Sequence, residues 1–180
     1  MHHLIGKKEV FAVELELTGN KWDNKTAIWL NDTRIGDWDD ENLLAPFLRS
    51  LRTIALKYRE FWLDELMGLD CHQIYLTIHP FYNDPDNFFS LSETEMDELT
   101  RFDKFLLTWG ENFDSWGLSL TCRDEVYKFM WVHSPNGKED SFEVRNDVKC
   151  FDVAFRQVQD VYQELLNIIP KEAWPMDSNG

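Results

Sequence analysis

Between Lys8 and Thr18 the chain alternates. Phe11, Val13, Leu15 and Leu17 fall on one parity; Val10, Ala12, Glu14 and Glu16 fall on the other. A period of two predicts a half-buried strand with Glu14 and Glu16 turned to water. A loop over Gly19–Asn24 leads to a second strand, Lys25–Leu30, and the two are expected to pair as an antiparallel hairpin. Ile28, Leu30 and Ile35 carry the apolar pattern past Asn31-Asp32, a pair suited to a turn or a bulge. The chain then crosses an acidic corner, Gly36-Asp37-Trp38-Asp39-Asp40-Glu41-Asn42, and enters a helix predicted over about 42–58. Leu44, Phe47, Leu48, Leu51, Ile54, Ala55 and Tyr58 recur there at three- and four-residue steps, with Arg49, Arg52, Lys57 and Arg59 opposite. Pro46 is tolerated in a first turn, and Asp40 or Asn42 stands where a capping acceptor belongs.

Further on, Phe61–Met67 reads as another turn or two of helix, stopped by Gly68. Ile74, Leu76 and Ile78 alternate, so Gln73–His79 is expected to be a third strand closed by Pro80. Ser92 and Glu95 are spaced as a capping box, which predicts a short helix starting there. Arg101–Trp109 reads as a short or edge strand. A second hairpin is expected from Trp116–Arg123 and Val126–Ser134, and Asp140–Arg145 as a last short strand after the Pro135-Asn136-Gly137 turn. From Asp147 an apolar stripe through Phe151, Ala154 or Phe155, Val158, Val161 or Tyr162, and Leu165 or Leu166 predicts a helix to about Ile169, stopped by Pro170. Together these give an α+β fold: an antiparallel sheet of about six strands, with the helices near 42–58 and 147–169 packed on one face. No linker or repeat divides the chain, so 1–180 is read as one domain with a loosely held tail over about 171–180.

Composition narrows the class. Hydrophobic residues make up 43% and include eight tryptophans, too apolar for a disordered chain. No apolar run approaches the roughly 20 residues of a membrane span, and MHHLIGKK lacks the apolar core of a signal peptide. Cys71, Cys122 and Cys150 are far apart and show no CxxC spacing, so reduced thiols in a cytoplasmic protein are expected. The net charge of −15 argues against nucleic-acid binding, because a protein that neutralises phosphates needs a basic face. It permits the reverse, a surface that steers a basic partner onto itself. Its plainer meaning is solubility for a tryptophan-rich chain.

Enzymatic constellations are scarce. There is no G-x-S-x-G elbow, no phosphate loop, no dinucleotide fingerprint and no H-E-x-x-H. Cys71 and His72 adjoin in sequence, but neighbours on a strand point to opposite faces. Asp37, Asp39 and Asp40 could hold a hard cation, and a metal-dependent hydrolase using them with His79 is one alternative. Capping of the following helix accounts for the same carboxylates, and no cofactor is implied. Trp29, Trp62, Trp109 and Trp131 are read as core, whereas Trp38 and Trp116 lie in loops beside Asp37, Asp39 and Asp114.

Three stretches resemble the immunity 42 family, small bacterial proteins encoded beside polymorphic or contact-dependent toxins. They are the opening strand Ile5-Gly-Lys-Lys-Glu-Val-Phe-Ala-Val-Glu-Leu-Glu; Trp29-Leu30 running into Ile35-Gly36-Asp37; and Asn112-Phe113-Asp114-Ser-Trp116 followed by Tyr127-Lys-Phe-Met-Trp131. In order they span roughly residues 5–165, while 103–110 and the tail after Pro170 match no family pattern. The resemblance implies an inhibitor that binds and blocks a cognate toxin C-terminal domain and carries no catalytic residues over; the acidity and the lack of a long apolar run are what argue against nucleic-acid and membrane partners. Acidity then nominates the toxin-facing residues: Asp37, Trp38, Asp39, Asp40, Glu41, Asp84, Asp86, Glu93, Glu95, Asp97 and Trp116. An adaptor or assembly subunit is the remaining alternative.

Overall fold

The computed structural model of the chain describes residues 1–19, 24–41, 43–79, 90–107, 109–133 and 147–174. Among the described residues, seven strands divide into two antiparallel sheets. The first holds β1 (His2–Lys7), β2 (Phe11–Glu16), β3 (Lys25–Leu30) and β4 (Thr33–Ile35) in that order. The second holds β5 (Trp116–Arg123), β6 (Val126–His133) and β7 (Lys149–Ala154). The helices are α1 (Leu44–Leu56), α2 (Cys71–Ile78), α3 (Glu93–Leu99) and α4 (Phe155–Ile168). The α+β class follows the hydrophobic pattern, although the strands close two small sheets instead of one.

Register explains which face is buried. Ile5, Val13, Ile28 and Ile35 stand opposite one another across the first sheet, with Phe11 opposite Leu30, so a single apolar face points inward. It meets the second sheet where Phe11 stacks on Phe129, ring centroids 5.7 Å apart. α1 and α4 complete this core. Phe47, Leu48, Leu51 and Ile54 of α1 are fully buried, each burial favouring the fold by roughly 1.5–3 kcal/mol. α4 leans on β1, β2 and β7, and the buried Tyr127 hydroxyl donates to the Ile54 carbonyl at the end of α1.

Two tight hairpins set the strand ends. Asn31 (φ 48°) with Asp32 (φ 60°), and Asp124 (φ 51°) with Glu125 (φ 61°), are two-residue turns with both φ positive, whose twist suits paired strands. The second sheet is covered on both faces, since α2 lies on the side away from the core. This explains why Leu118–Cys122 and Phe129–Val132 read as continuous apolar runs with buried Ser119 and Thr121 among them.

Several expectations fail for identifiable reasons. Gln73–His79 is not a strand. Ile74, Tyr75 and Ile78 are buried at helical spacing, and Asp70 accepts from the Gln73 N–H (2.8 Å) while Gln73 Oε1 accepts from the Asp70 N–H (2.9 Å). Arg101–Trp109 is not a strand either: Thr100–Phe105 is a 3₁₀ turn that buries Phe102 and Phe105. The C-terminal helix begins at Phe155 instead of Asp147, because Lys149–Ala154 pairs with β6 over six register positions. Phe151 and Phe155 are four apart, which counterfeits a helical step across the junction. His2–Lys7, for which the alternation predicts no element, is an edge strand on β2. The N-cap of α1 is Leu43, which makes no side-chain capping bond, so Asp40 does not hold that position. Cys71 and Cys150 are joined in a disulfide with Cα atoms 6.5 Å apart, against the expectation of free thiols. Of the tail, Lys171–Ala173 form a turn and Trp174 meets the Tyr162 ring edge-on at 5.4 Å. The strand expected over Asp140–Arg145, the Pro80 stop and Asn42 lie outside the described residues.

Candidate functional site

The acidic corner is held from below by a buried asparagine. Gly36 enters it at φ 109°, where a Cβ would sit 3.1 Å from the Phe113 ring. The Asp37 N–H donates to the Asn112 carbonyl (2.7 Å), and the Asp40 N–H returns to the Asp37 carbonyl (3.1 Å). Asn112 is itself fully buried, its amide donating to the Thr26 carbonyl of β3. The turn Glu111–Phe113 therefore anchors the corner to the first sheet, and Phe113 stacks on Phe47 of α1 with centroids 6.0 Å apart.

On this support the predicted residues divide by exposure. Asp39, Asp40 and Glu41 are exposed, while Asp37 and Trp38 are half-buried. Asp37 Oδ1 accepts from the Trp116 indole N–H at 3.4 Å, so the two loop regions nominated separately in sequence meet in space. Trp116 also stacks on His133, centroids 4.1 Å apart. Trp38 packs on the far side, edge-on to His2 (5.7 Å) and beneath the Arg34 guanidinium (5.7 Å). Two half-buried tryptophans thus flank a row of exposed carboxylates.

Trp38 continues onto the outer face of the first sheet, where Glu14, Trp29 and Arg34 form a cluster invisible to the alternation rule. Glu14 is 8% exposed instead of facing water. One oxygen accepts from the Trp29 indole (2.8 Å) and the other lies 2.9 Å from His2 Nε2. Burial opposes its ionisation, but the hydrogen bonds from His2 and Trp29 and the charges of Lys8 and Arg34 prevail and hold its carboxyl below the usual glutamate range. Trp29 is not core: Lys8 Nζ lies 3.7 Å above its ring and Arg34 is 5.9 Å away. Lys8, in the turn after β1, and Arg34, directly opposite Trp29 on β4, were the sequence signal for this arrangement. Asn112 gave no signal beyond its place in the family-like stretch.

The second acidic group lies on a different support. Glu93, Glu95 and Asp97 stand exposed on α3, which packs on Thr100–Phe105. Glu95 is engaged locally, accepting from the Ser92 N–H (2.8 Å) and hydroxyl (2.6 Å), and these bonds hold its carboxyl below the ordinary range. Asp84 and Asp86 lie outside the described residues.

The arrangement offers little to a reaction. Among the described residues no three His, Cys, Asp or Glu side chains gather as a metal site requires, and Asp37, the inner member of the proposed triad, is turned to Trp116. His79 stacks on Tyr75 (4.2 Å), and burial pushes its imidazole down to about 4. No helix among the described residues is long and apolar enough to cross a membrane.

The structure is similar to the crystal structure of CdiI from Burkholderia dolosa AUO158, with a TM-score of 0.62 at 12% identity, over 93% of this chain and 100% of that one. At that identity the likeness concerns the fold. No curated protein matches the chain. The profile of the family described as immunity protein 42 matches residues 1–168, which take in both sheets and the four helices of the described residues, and the chain belongs to that family.

Proposed function

We propose that the protein binds a cognate toxin domain in the cytoplasm of the cell that makes both, and blocks it stoichiometrically without catalysing any reaction. Family membership supports the immunity role, and the fold shared with a protein named CdiI agrees with contact-dependent inhibition as the setting. The observation that carries the surface assignment is the corner itself. Exposed Asp39, Asp40 and Glu41 follow Asp37, whose N–H the Asn112 carbonyl holds, and stand beside Trp38 and Trp116, an arrangement that supplies charge for capture and aromatic area for a hot spot. The acids from Asp84 and Asp86 through Glu93, Glu95 and Asp97 would extend the negative field. A basic toxin, such as a nuclease with a cationic substrate groove, fits a partner of net charge −15, with carboxylates taking the place of phosphates.

The test is a titration of the toxin domain encoded beside this chain. Toxin activity is expected to fall linearly to zero at one inhibitor per toxin, with a 1:1 complex in native mass spectrometry. Complete loss of toxin activity at a small fraction of one equivalent would instead reveal an enzyme acting on the toxin, and would end this reading.

A further inference from the structure

We propose that Cys71 and Cys150 form a reversible thiol–disulfide site, closed on the folded protein by exchange with a small-molecule disulfide such as oxidised glutathione. This goes beyond the toxin-binding reading and does not depend on it. The two cysteines are 79 residues apart in sequence, yet the fold brings their Cα atoms to 6.5 Å, within the span a disulfide bridges without backbone movement. Both are half-buried at the surface, within reach of a small thiol. Cys122, the third cysteine, is different. It is a buried residue of β5, where burial, with Glu125 and Asp124 nearby, pushes its thiol up to about 12, so it stays an unreactive thiol.

The elements that carry the pair are seated by other interactions, which is why the bond can open. α2 is held by buried Ile74, Tyr75 and Ile78 and by the Tyr75 hydroxyl donating to the Gly117 carbonyl (3.3 Å). β7 is held by its six pairings with β6. What the bond adds is a fixed distance between them. A groove of about 400 Å³ runs beside the pair, with Leu69 and Ile74 on one wall and Thr121, Lys128 and Asp152 on the other. Cys71 lies between Leu69 and Ile74 in the chain, and Cys150 shares a face of β7 with Asp152. Closing the bond therefore sets the width of this groove, and opening it lets α2 move against the sheet.

The exchange balances. One cysteine thiolate attacks a sulfur of glutathione disulfide and releases one glutathione. The other cysteine then attacks the resulting mixed disulfide and releases the second. Two protein thiols are oxidised, one disulfide is reduced to two thiols, and the cysteine protons end on the released glutathiones.

The experiment reduces the full chain with dithiothreitol, removes the reductant, and adds oxidised glutathione to the folded protein. Peptide mapping, melting and hydrogen exchange are then followed. The expected result is a Cys71–Cys150 linked peptide, a melting temperature raised by roughly 10 °C, and slower exchange over 71–78. Dithiothreitol should reverse all three. Cys71→Ser should melt with the reduced wild type, and Cys122→Ser should close normally. Glutathione retained on one cysteine, melting equal in both states, or a reduced chain that is unfolded by circular dichroism would each overturn the proposal.

Discussion

Asn112 is fully buried with its amide on the Thr26 carbonyl, while its own backbone carbonyl receives the Asp37 N–H. Replacing it with alanine leaves a strand carbonyl buried without its partner, which costs about 1–3 kcal/mol. Urea denaturation of Asn112→Ala should show that loss at unchanged slope; a change near zero would mean the corner is held elsewhere. His79 makes a prediction with a definite sign. Its folded-state value of about 4 lies below the ordinary 6.5, so the unfolded chain takes up a proton that the folded chain refuses. The stability this contributes is complete above pH 6.5 and is lost as pH falls toward 4. The difference amounts to about 3 kcal/mol at most. Measured from pH 7 to 4.5 by chemical denaturation, wild type should lose more stability than His79→Gln. Parallel profiles would show that the imidazole is solvated after all.

At the scale of elements, Gly117 joins two parts of the argument. A Cβ there would run into the Tyr75 hydroxyl and would lie 2.9 Å from a Val132 methyl, so Gly117→Ala must lift α2 or shift β5. Overpacking of this kind costs about 1–3 kcal/mol, and it should speed hydrogen exchange over Cys71–Ile78 before other segments. The same region shows how far pattern reading reaches. In α1, whose polar face stays open, and in β2 and β3, whose inward faces carry Phe11, Val13, Leu15, Ile28 and Leu30 although Ala12, Glu14 and Ala27 opposite are buried too, periodicity gave type and extent within a few residues. Where an element is covered on both sides or follows another without a loop, the pattern became ambiguous. Ile74, Leu76 and Ile78 satisfy a period of two, but Ile74, Tyr75 and Ile78 satisfy the helix, and only the Asp70–Gln73 box decides. Strand β7 runs into α4 with no loop between them, so the apolar residues of both merged into one stripe. Glu14 escaped because alternation assigns a face without saying what roofs it: Trp29, Lys8 and His2 come from other parts of the chain. Asp37, Trp38 and Trp116 could be nominated from local composition, but their meeting depends on Asn112, whose burial has no local signature.

At the scale of the whole molecule, exposed carboxylates and two half-buried tryptophans come together at the corner. The net −15 includes acids on at least two supports, the Asn112-held corner and α3, while cations such as Lys8 and Arg34 are occupied over Trp29 on the outer sheet face. Within α3, Glu95 is tied to Ser92, so reversing its charge would unfold the first turn as well as alter the field. Glu93 and Asp97 are the cleaner probes of that patch. Reversing them should lower the association rate several-fold at low salt and leave dissociation unchanged, as read by stopped-flow mixing with the toxin.

The corner is best tested directly by the affinity of Asp39→Lys/Asp40→Lys/Glu41→Lys for the cognate toxin domain, measured by calorimetry from low to high salt beside wild type. These three side chains are exposed, so folding should be preserved, which a melting curve checks. The account predicts binding weakened at least a hundredfold at low salt, and a much flatter salt dependence. Wild-type affinity with an unchanged salt slope would contradict it.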